Sequence, residues 1–315
     1  MPEGAHNSMT GDIAHGADAK ERALIFLHIA KTAGSTLHAI IERQFAPEVT
    51  HNLKRIRPPR SIQEFFNLPE SERRRIRLLK GHMPYGLHKY LSVPATYLTM
   101  LRDPVDRVIS QYYFTLRMPG ISLYEEITSK HMSLADFALK RASLGVVNDQ
   151  TRLLSGVEKV NTALLSGVEM PSFAGNEEVA SEDTLRIAIQ NLENHFAVVG
   201  LSERFDESVL LLKREFGWKN IFYLKRNVTK DRPTKQQVPR EVIELIEKQN
   251  FLDVQLYEYA RQRFEEAIKE QGRNFESELR SFQRKNKLYG TMWRGYMRAQ
   301  RTIPIVKATV SRLHK

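Results

Sequence analysis

The chain has 315 residues, of which 41% are hydrophobic and 9% aromatic, a composition typical of a globular protein large enough to bury a core. It contains no cysteine, which excludes disulfides, thiolate metal ligands and cysteine nucleophiles. No apolar run approaches the length that spans a membrane, and residues 1–20 lack the apolar segment of a signal peptide. We therefore expect cytoplasmic residence.

The net charge of +11 would fit a nucleic-acid-binding protein, but its distribution argues against that class. Residues 281–315 carry nine lysines and arginines and no acidic residue, which leaves only +2 for the preceding 280 residues. The basic charge therefore belongs to a tail and not to a domain, and we expect no nucleic-acid partner.

The predicted elements alternate between strands and helices along the chain. Residues 1–20 have the composition of a disordered leader. Short apolar runs predict strands at residues 24–29, 77–80, 95–101, 195–200 and 221–224. Helical periodicity predicts helices near residues 37–45, 61–79, 104–112, 123–144, 181–194, 203–216, 239–248 and 252–280. Residues 51–60 are predicted as a polar loop, and residues 145–180 as an irregular insertion with a short LLSGVE duplication.

This alternation predicts an α/β fold: a P-loop-like parallel sheet flanked by helices on both faces. The domain is expected to occupy residues 21–280 and to be followed by a basic extension at residues 281–315.

The first loop has the composition of a phosphate-binding turn. An apolar strand at residues 24–29 is followed by small residues around one lysine and then by a helical pattern. A strand, small-residue loop and helix start present backbone N–H groups and a positive helix end to an anion. The Walker order, with its lysine at the end of the loop, is absent, so an ordinary βα turn remains an alternative. The candidate ligand-binding residues are Lys31, Thr32, Ala33, Gly34, Ser35 and Thr36.

A second motif follows the strand predicted at residues 95–101. Arg102 comes at the end of this strand, and Asp103 and Pro104 form a typical helix start. Ser110 lies two turns into the helix, on the face of Asp103. An arginine fork and a hydroxyl at a strand end suit a dianion, although an ion pair for Arg102 and an ordinary helical role for Ser110 are the simpler alternatives.

Together, the motifs at residues 26–36 and 99–114 resemble those of the sulfotransferase family that includes heparan sulfate 2-O-sulfotransferase. Ala30 stands where that family usually has proline. The resemblance implies a sulfotransferase fold and 3′-phosphoadenosine 5′-phosphosulfate (PAPS) as donor, with its phosphosulfate in the first loop and its 3′-phosphate on Arg102 and Ser110. It also implies a late nucleotide loop that contains Thr234 and Lys235.

Sulfuryl transfer resembles phosphoryl transfer, in which positioning and electrostatics dominate. Lys31 would stabilise the charge that develops on the leaving phosphate, and a histidine would take the acceptor's proton. The resemblance points to His82, which follows Lys80 and Gly81, as this base. His28, His88 and His195 are expected to be structural, and no cluster has metal-ligand spacing, so we expect no metal.

The acceptor is expected to be a carbohydrate, with Arg117 and Arg152 as candidate substrate-binding cations and residues 148–152 lining the acceptor side. In the tail, apolar and aromatic residues interleave with cations, a pattern that fits peripheral contact with a membrane, polyanion binding, or a helix packed on its own domain. The residues do not indicate an oligomeric state.

Two other function classes remain open at this stage. One is a P-loop-type kinase, which the loop order and the lack of a clear Walker-B acid disfavour. The other is a non-catalytic polyanion-binding protein that acts through the basic tail.

Overall fold

The computed structural model describes residues 22–53, 58–120, 123–143, 147–156, 180–226 and 232–302. The leader at residues 1–20, most of the insertion with its duplication, and residues 303–315 of the extension lie outside the described residues.

A five-stranded parallel sheet forms the centre of the molecule, with strand order β2-β3-β1-β4-β5. The strands are β1 (Ala23–Leu27), β2 (Thr50–Leu53), β3 (Leu78–Gly81), β4 (Ala95–Leu101) and β5 (Phe196–Leu201). Every residue of β1 is buried, as expected of the central strand of a covered parallel sheet.

Helices flank this sheet, which confirms the α/β prediction. The first seven are α1 (Gly34–Ile41), α2 (Pro58–Phe66), α3 (Glu70–Arg73), α4 (Pro104–Thr115), α5 (Tyr124–Ser129), α6 (Leu134–Ser143) and α7 (Asp149–Ser155). The others are α8 (Glu182–His195), α9 (Phe205–Phe216), α10 (Arg240–Gln249), α11 (Phe251–Glu270) and α12 (Phe275–Thr302). None of the helices described here is long and apolar enough to cross a bilayer.

The register of the sheet determines where the site lies. Leu27 at the end of β1 pairs with Gly81 on one side and with Thr99 on the other. The loops that follow β1, β3 and β4 therefore emerge together at the carboxyl edge of the sheet, where ligands of open α/β sheets bind.

Two strand predictions were wrong, each for a physical reason. Residues 50–53 form edge strand β2, although a polar loop was predicted at residues 51–60, because an edge strand tolerates polar, partly exposed side chains. Residues 221–224 have no regular secondary structure. Their backbone groups bond to side chains instead: the Tyr223 N–H donates to Asn286 Oδ1 at 2.8 Å, and the Phe222 carbonyl accepts from Arg43.

The C-terminal helices also differ from the prediction. A single helix was expected over residues 252–280, but Gly272, with a φ of +79°, separates α11 from α12. Helix α12 then continues across residue 280, where the basic extension was expected to begin.

The stretch at residues 148–152 is largely internal. Gln150 and Thr151 are fully buried, and the backbone N–H of Thr151 donates to Asp253 Oδ1 of α11 at 2.8 Å. Asp149 accepts from Arg107 and Arg141 at 3.0 and 2.8 Å, and these guanidinium groups hold its pKa at about 2 despite burial. The polar residues of this stretch thus tie α4, α6, α7 and α11 together, and most of the stretch is packed inside the fold.

Candidate active site

The loop between β1 and α1 turns sharply to start the helix at the sheet edge. Lys31 and Ala33 have φ values of 71° and 61°, in the left-handed region that residues with a side chain seldom adopt. The Thr32 hydroxyl, which is fully buried, donates to the Ile29 carbonyl at 2.8 Å and holds this turn. Such strain in an ordered loop is characteristic of functional sites.

This loop forms one wall of a cavity of about 380 Å³ at the carboxyl edge of the sheet. Among the described residues, five lysines and arginines and two carboxylates line it, so its potential favours an anion. The loop contributes Ala30, Lys31, Ala33, Gly34, Ser35 and Thr36, and other elements contribute His28, His82, Arg102, Asp106, Ser110, Phe114, Ser202, Glu203, Phe205, Tyr223, Lys225, Arg226 and Arg232.

Arg102 directly follows β4, and two hydrogen bonds to its backbone hold it in position. The Gln150 side chain accepts from the Arg102 N–H and donates to the Arg102 carbonyl, both at 3.0 Å. The guanidinium donates to the Lys31 carbonyl at 3.0 Å, which links the two predicted motifs directly.

The Arg102 guanidinium also has unused hydrogen-bonding capacity. Its Nε is buried, has no hydrogen-bond partner and lies 3.9 Å from the nearest Glu203 oxygen. Burial lowers the Arg102 pKa, and the positive charge of Arg232 lowers it further. A buried donor beside a second cation is a favourable place for an anionic ligand.

Two further motif residues lie at this cavity. The ammonium of Lys31 is 3.8 Å from the centre of the Phe114 ring, a cation–π distance that holds the side chain over α4. Ser110 is 7% exposed and lies in the same helix, facing the cavity as its spacing predicted.

Four side chains form a chain of contacts behind His82 that runs from half-buried His28 and His38 through buried Lys80 to exposed Glu42. The rings of His82 and His28 stack with centroids 4.3 Å apart, and His28 Nδ1 lies 3.1 Å from His38 Nε2. Lys80 Nζ lies 3.4 Å from His38 Nδ1 and donates to Glu42 at 2.6 Å. An ammonium has no acceptor, so His38 must accept at Nδ1 and carry its proton on Nε2, which it donates to His28. His28, when neutral, then carries its own proton on Nε2.

Acid should destabilise the protein through His38. Burial, helped by the charges of Lys80 and His82, lowers the His38 pKa from 6.5 to about 3. Below pH 6.5 the unfolded chain therefore binds a proton that the folded chain refuses, so stability falls as the pH falls toward 3. At pH 5 this contribution is roughly 2 kcal/mol. Urea unfolding of wild type and His38→Gln at pH 7 and pH 5 tests it: equal acid losses in the two proteins would contradict the assignment.

The His28 ring leaves no room for a side chain at position 34, which is glycine. A Cβ on Gly34 would lie 1.8 Å from His28 Nε2, so the glycine lets the His28 ring pack against the start of α1. We expect Gly34→Ala to destabilise the fold by about 1–3 kcal/mol, as overpacking does. In a His28→Ala background the same change should be neutral or stabilising, because alanine favours helix.

Thermal unfolding of the single and double variants measures this coupling. Gly290→Ala is the matched helical control, since the nearest atom to its added Cβ is 3.5 Å away. Equal losses from Gly34→Ala in both backgrounds would show that His28 is not the cause.

Thr234 and Lys235, the predicted late nucleotide loop, are held by other contacts, and their role toward a nucleotide stays a prediction. Lys235 pairs with Asp103 and Glu247 at 3.2 and 3.1 Å, Thr234 starts a short 3-10 turn at Lys235–Gln237, and neither residue lines the cavity. Arg232, two residues earlier than Thr234, lines it instead and donates to the Asp106 carbonyl at 2.9 Å.

Sequence reasoning missed the other cations of this segment as well. Lys225 and Arg226 line the cavity, and the Arg226 N–H donates to the Thr36 hydroxyl at 3.1 Å. The only signal in the sequence was their place in the polar loop that follows residue 224, at a distance along the chain from both motifs.

The two predicted substrate cations do not line this cavity. Arg117 is exposed at the end of α4 and donates to the Tyr113 carbonyl at 2.9 Å, and Arg152 lies within α7. Their role toward an acceptor stays a prediction.

The α/β fold and the positively charged cavity at the sheet edge can now be set beside known proteins. A model of the galactose-3-O-sulfotransferase family matches residues 7–294, and the chain belongs to that family. Galactose-3-O-sulfotransferase 3 of mouse is 26% identical over 271 residues, and the human protein of that name is 24% identical over 270. These alignments cover 81% of this chain and 59% of each relative, so the chain spans about three fifths of their length.

The expected class, the carbohydrate sulfotransferases, is thereby confirmed at the level of family membership. The matches are to galactose-3-O-sulfotransferases, and a likeness to heparan sulfate 2-O-sulfotransferase is not shown.

Proposed function

We propose that this protein transfers a sulfuryl group from PAPS to a hydroxyl of a galactose-containing carbohydrate. The observation that carries the proposal is the Arg102 guanidinium, whose buried Nε has no hydrogen-bond partner, at a cavity that five cations of the described residues line. PAPS supplies an activated sulfuryl group on a phosphate leaving group. Galactose enters the proposal from the names of the relatives.

The residues of the cavity suit the two anionic ends of such a donor. The backbone of the loop and the start of α1 would bind the phosphosulfate, as helix N-termini bind anions. Arg102 and Ser110 would bind the 3′-phosphate. Arg232 would add positive charge that neither sequence motif predicted. Phe205 and Tyr223 provide an aromatic surface for the adenine ring of the donor. Their rings meet edge to face with centroids 4.9 Å apart.

His82 is the proposed general base. It lies at the end of β3 and lines the cavity, as a base that reaches an acceptor hydroxyl must. Its ring stacks on His28, which His38 and Lys80 hold in one orientation and tautomer. The contact chain thus orients the ring that takes the proton.

Lys31 is proposed to stabilise the leaving group. As the sulfuryl group moves to the acceptor oxygen, the bond between sulfur and the bridging oxygen breaks and negative charge develops on the phosphate. A preorganised ammonium at that oxygen lowers the barrier because it needs no reorganisation during the step. The Phe114 ring keeps Lys31 in place for this role.

Calorimetric titration with 3′-phosphoadenosine 5′-phosphate (PAP), without added metal, tests the donor, and turnover of PAPS with lactose tests the acceptor. We expect binding and sulfation of the galactose ring. Failure of PAP to bind, with strict dependence on Mg²⁺ and ATP, would overturn the proposal in favour of a kinase. Among the described residues, no group of His, Asp and Glu is arranged to hold a metal ion.

A further inference from the structure

Helix α12 has two parts with different surroundings. Its first part packs on the domain: Phe275, Leu279 and Phe282 are 2%, 8% and 5% exposed. The contact ends near Gly290, whose nearest neighbour outside the helix is Leu224. Residues 291–297 are exposed throughout, so the helix extends beyond the surface that its first part covers.

The extended part has an apolar side. At 3.6 residues per turn, its large apolar residues fall within about half of the helix circumference. Each of them is at least 39% exposed, and together they form what we call the outer stripe: Leu288, Met292, Trp293, Tyr296 and Met297. They make up more than half of the exposed large hydrophobic residues in the described part of the chain. A contiguous patch of this kind marks an interaction surface.

The charge of this region is of one sign. Residues 279–315 contain no aspartate or glutamate. By helical spacing, Arg284, Lys287 and Arg294 lie on the side of α12 opposite the outer stripe, and all three are exposed. An apolar side with aromatic residues and a cationic polar side is the pattern of helices that lie in a membrane interface.

We propose that α12 docks on an anionic lipid surface, with the outer stripe inserted among the acyl chains and the flanking cations at the headgroups. The charge complementarity selects anionic lipid, since each lysine or arginine near such a surface adds attraction. A soluble polyanion would contact the cations alone and would leave the stripe in water. Docking would hold the enzyme against a membrane independently of its catalytic cavity.

Binding of the full chain to phosphatidylcholine vesicles, with and without phosphatidylglycerol, tests the proposal. We expect salt-sensitive binding to the anionic vesicles and a blue shift of tryptophan fluorescence. The two tryptophans separate the origins of that shift, because Trp293 is 42% and Trp218 only 5% exposed. The shift should vanish in Trp293→Phe, whereas vesicle binding should persist.

Replacing two apolar residues of the outer stripe by polar ones provides the decisive variant. The double change Met292→Gln and Trp293→Gln keeps every cation and should weaken vesicle binding roughly 10-fold or more. Leu139→Gln, at a leucine that is 51% exposed on α6, is the matched control and should bind as wild type does. Both sites are exposed, so folding is not at risk.

Two outcomes would overturn the proposal. Vesicle binding that the double change leaves intact, together with no fluorescence shift in wild type, would assign α12 to purely ionic contact with a polyanion. A fluorescence shift that depends on protein concentration without vesicles would assign the stripe to a second copy of the chain. PAP binding, measured in parallel, keeps either failure distinct from failure of the proposed function.

Discussion

Replacing His82 by alanine is expected to lower kcat by about 10²- to 10⁴-fold, the usual contribution of a positioned general base. PAP affinity should stay near that of wild type, because the proposed role of His82 concerns the acceptor hydroxyl and not the nucleotide. The measurement is steady-state turnover of PAPS with lactose, together with calorimetric titration of PAP on the same preparations.

The matched control for His82 is His195→Ala. His195 is exposed at the end of α8 and does not line the cavity, so its loss should change neither kcat nor PAP affinity. A small molecule such as imidazole, added to His82→Ala, should recover part of kcat if the missing group is a base. Turnover of His82→Ala within a few fold of wild type would exclude His82 from proton transfer.

Replacing Arg102 by alanine is expected to weaken PAP binding roughly 10- to 100-fold, since a hydrogen-bonded charge on an anion is worth about 1.5–3 kcal/mol. The change removes the Nε that has no hydrogen-bond partner and the contact of the guanidinium with the Lys31 carbonyl. The effect should therefore appear both in the affinity and in KM for PAPS, and calorimetry without metal measures it directly.

Arg102→Lys separates charge from geometry. Lysine keeps the positive charge but cannot present the planar fork of arginine, so we expect only partial recovery of affinity. Arg117→Ala is the control for a general loss of positive charge, because Arg117 is exposed and outside the cavity. Unchanged PAP affinity in Arg102→Ala, or an equal loss in Arg117→Ala, would remove Arg102 from the nucleotide site.

Much of the site was predictable because it is encoded locally. The strand, the loop of small residues around Lys31 and the helix start form one continuous segment, and so do the end of β4, Arg102 and the helix cap at Asp103. In parallel sheets the strand ends meet at one edge, so two such segments predict a shared site without further information. The structure places both segments at one cavity.

Other segments have tertiary contacts that their local pattern did not indicate. The polar stretch at residues 148–152 resembled an acceptor surface, but Asp253 and Arg107 bury most of it in a charged network. Thr234 and Lys235 resembled a nucleotide loop, but Asp103 and Glu247 hold Lys235 away from the cavity. In both cases the segment pairs with residues that are distant in the sequence, such as Asp253 for Thr151 and Asp103 for Lys235.

The sequence by itself determined the α/β class and indicated the candidate anion-binding loop, because strand periodicity, small residues and helix caps act over a few residues. The candidate base His82 came from the family resemblance. Only the tertiary structure brought Arg226 and Arg232 to the cavity and His38 and Lys80 behind His28. These contacts depend on how separate elements pack, which no local pattern specifies. The tertiary structure also decided that the Nε of Arg102 is buried without a hydrogen-bond partner, since burial and pairing are properties of the folded chain.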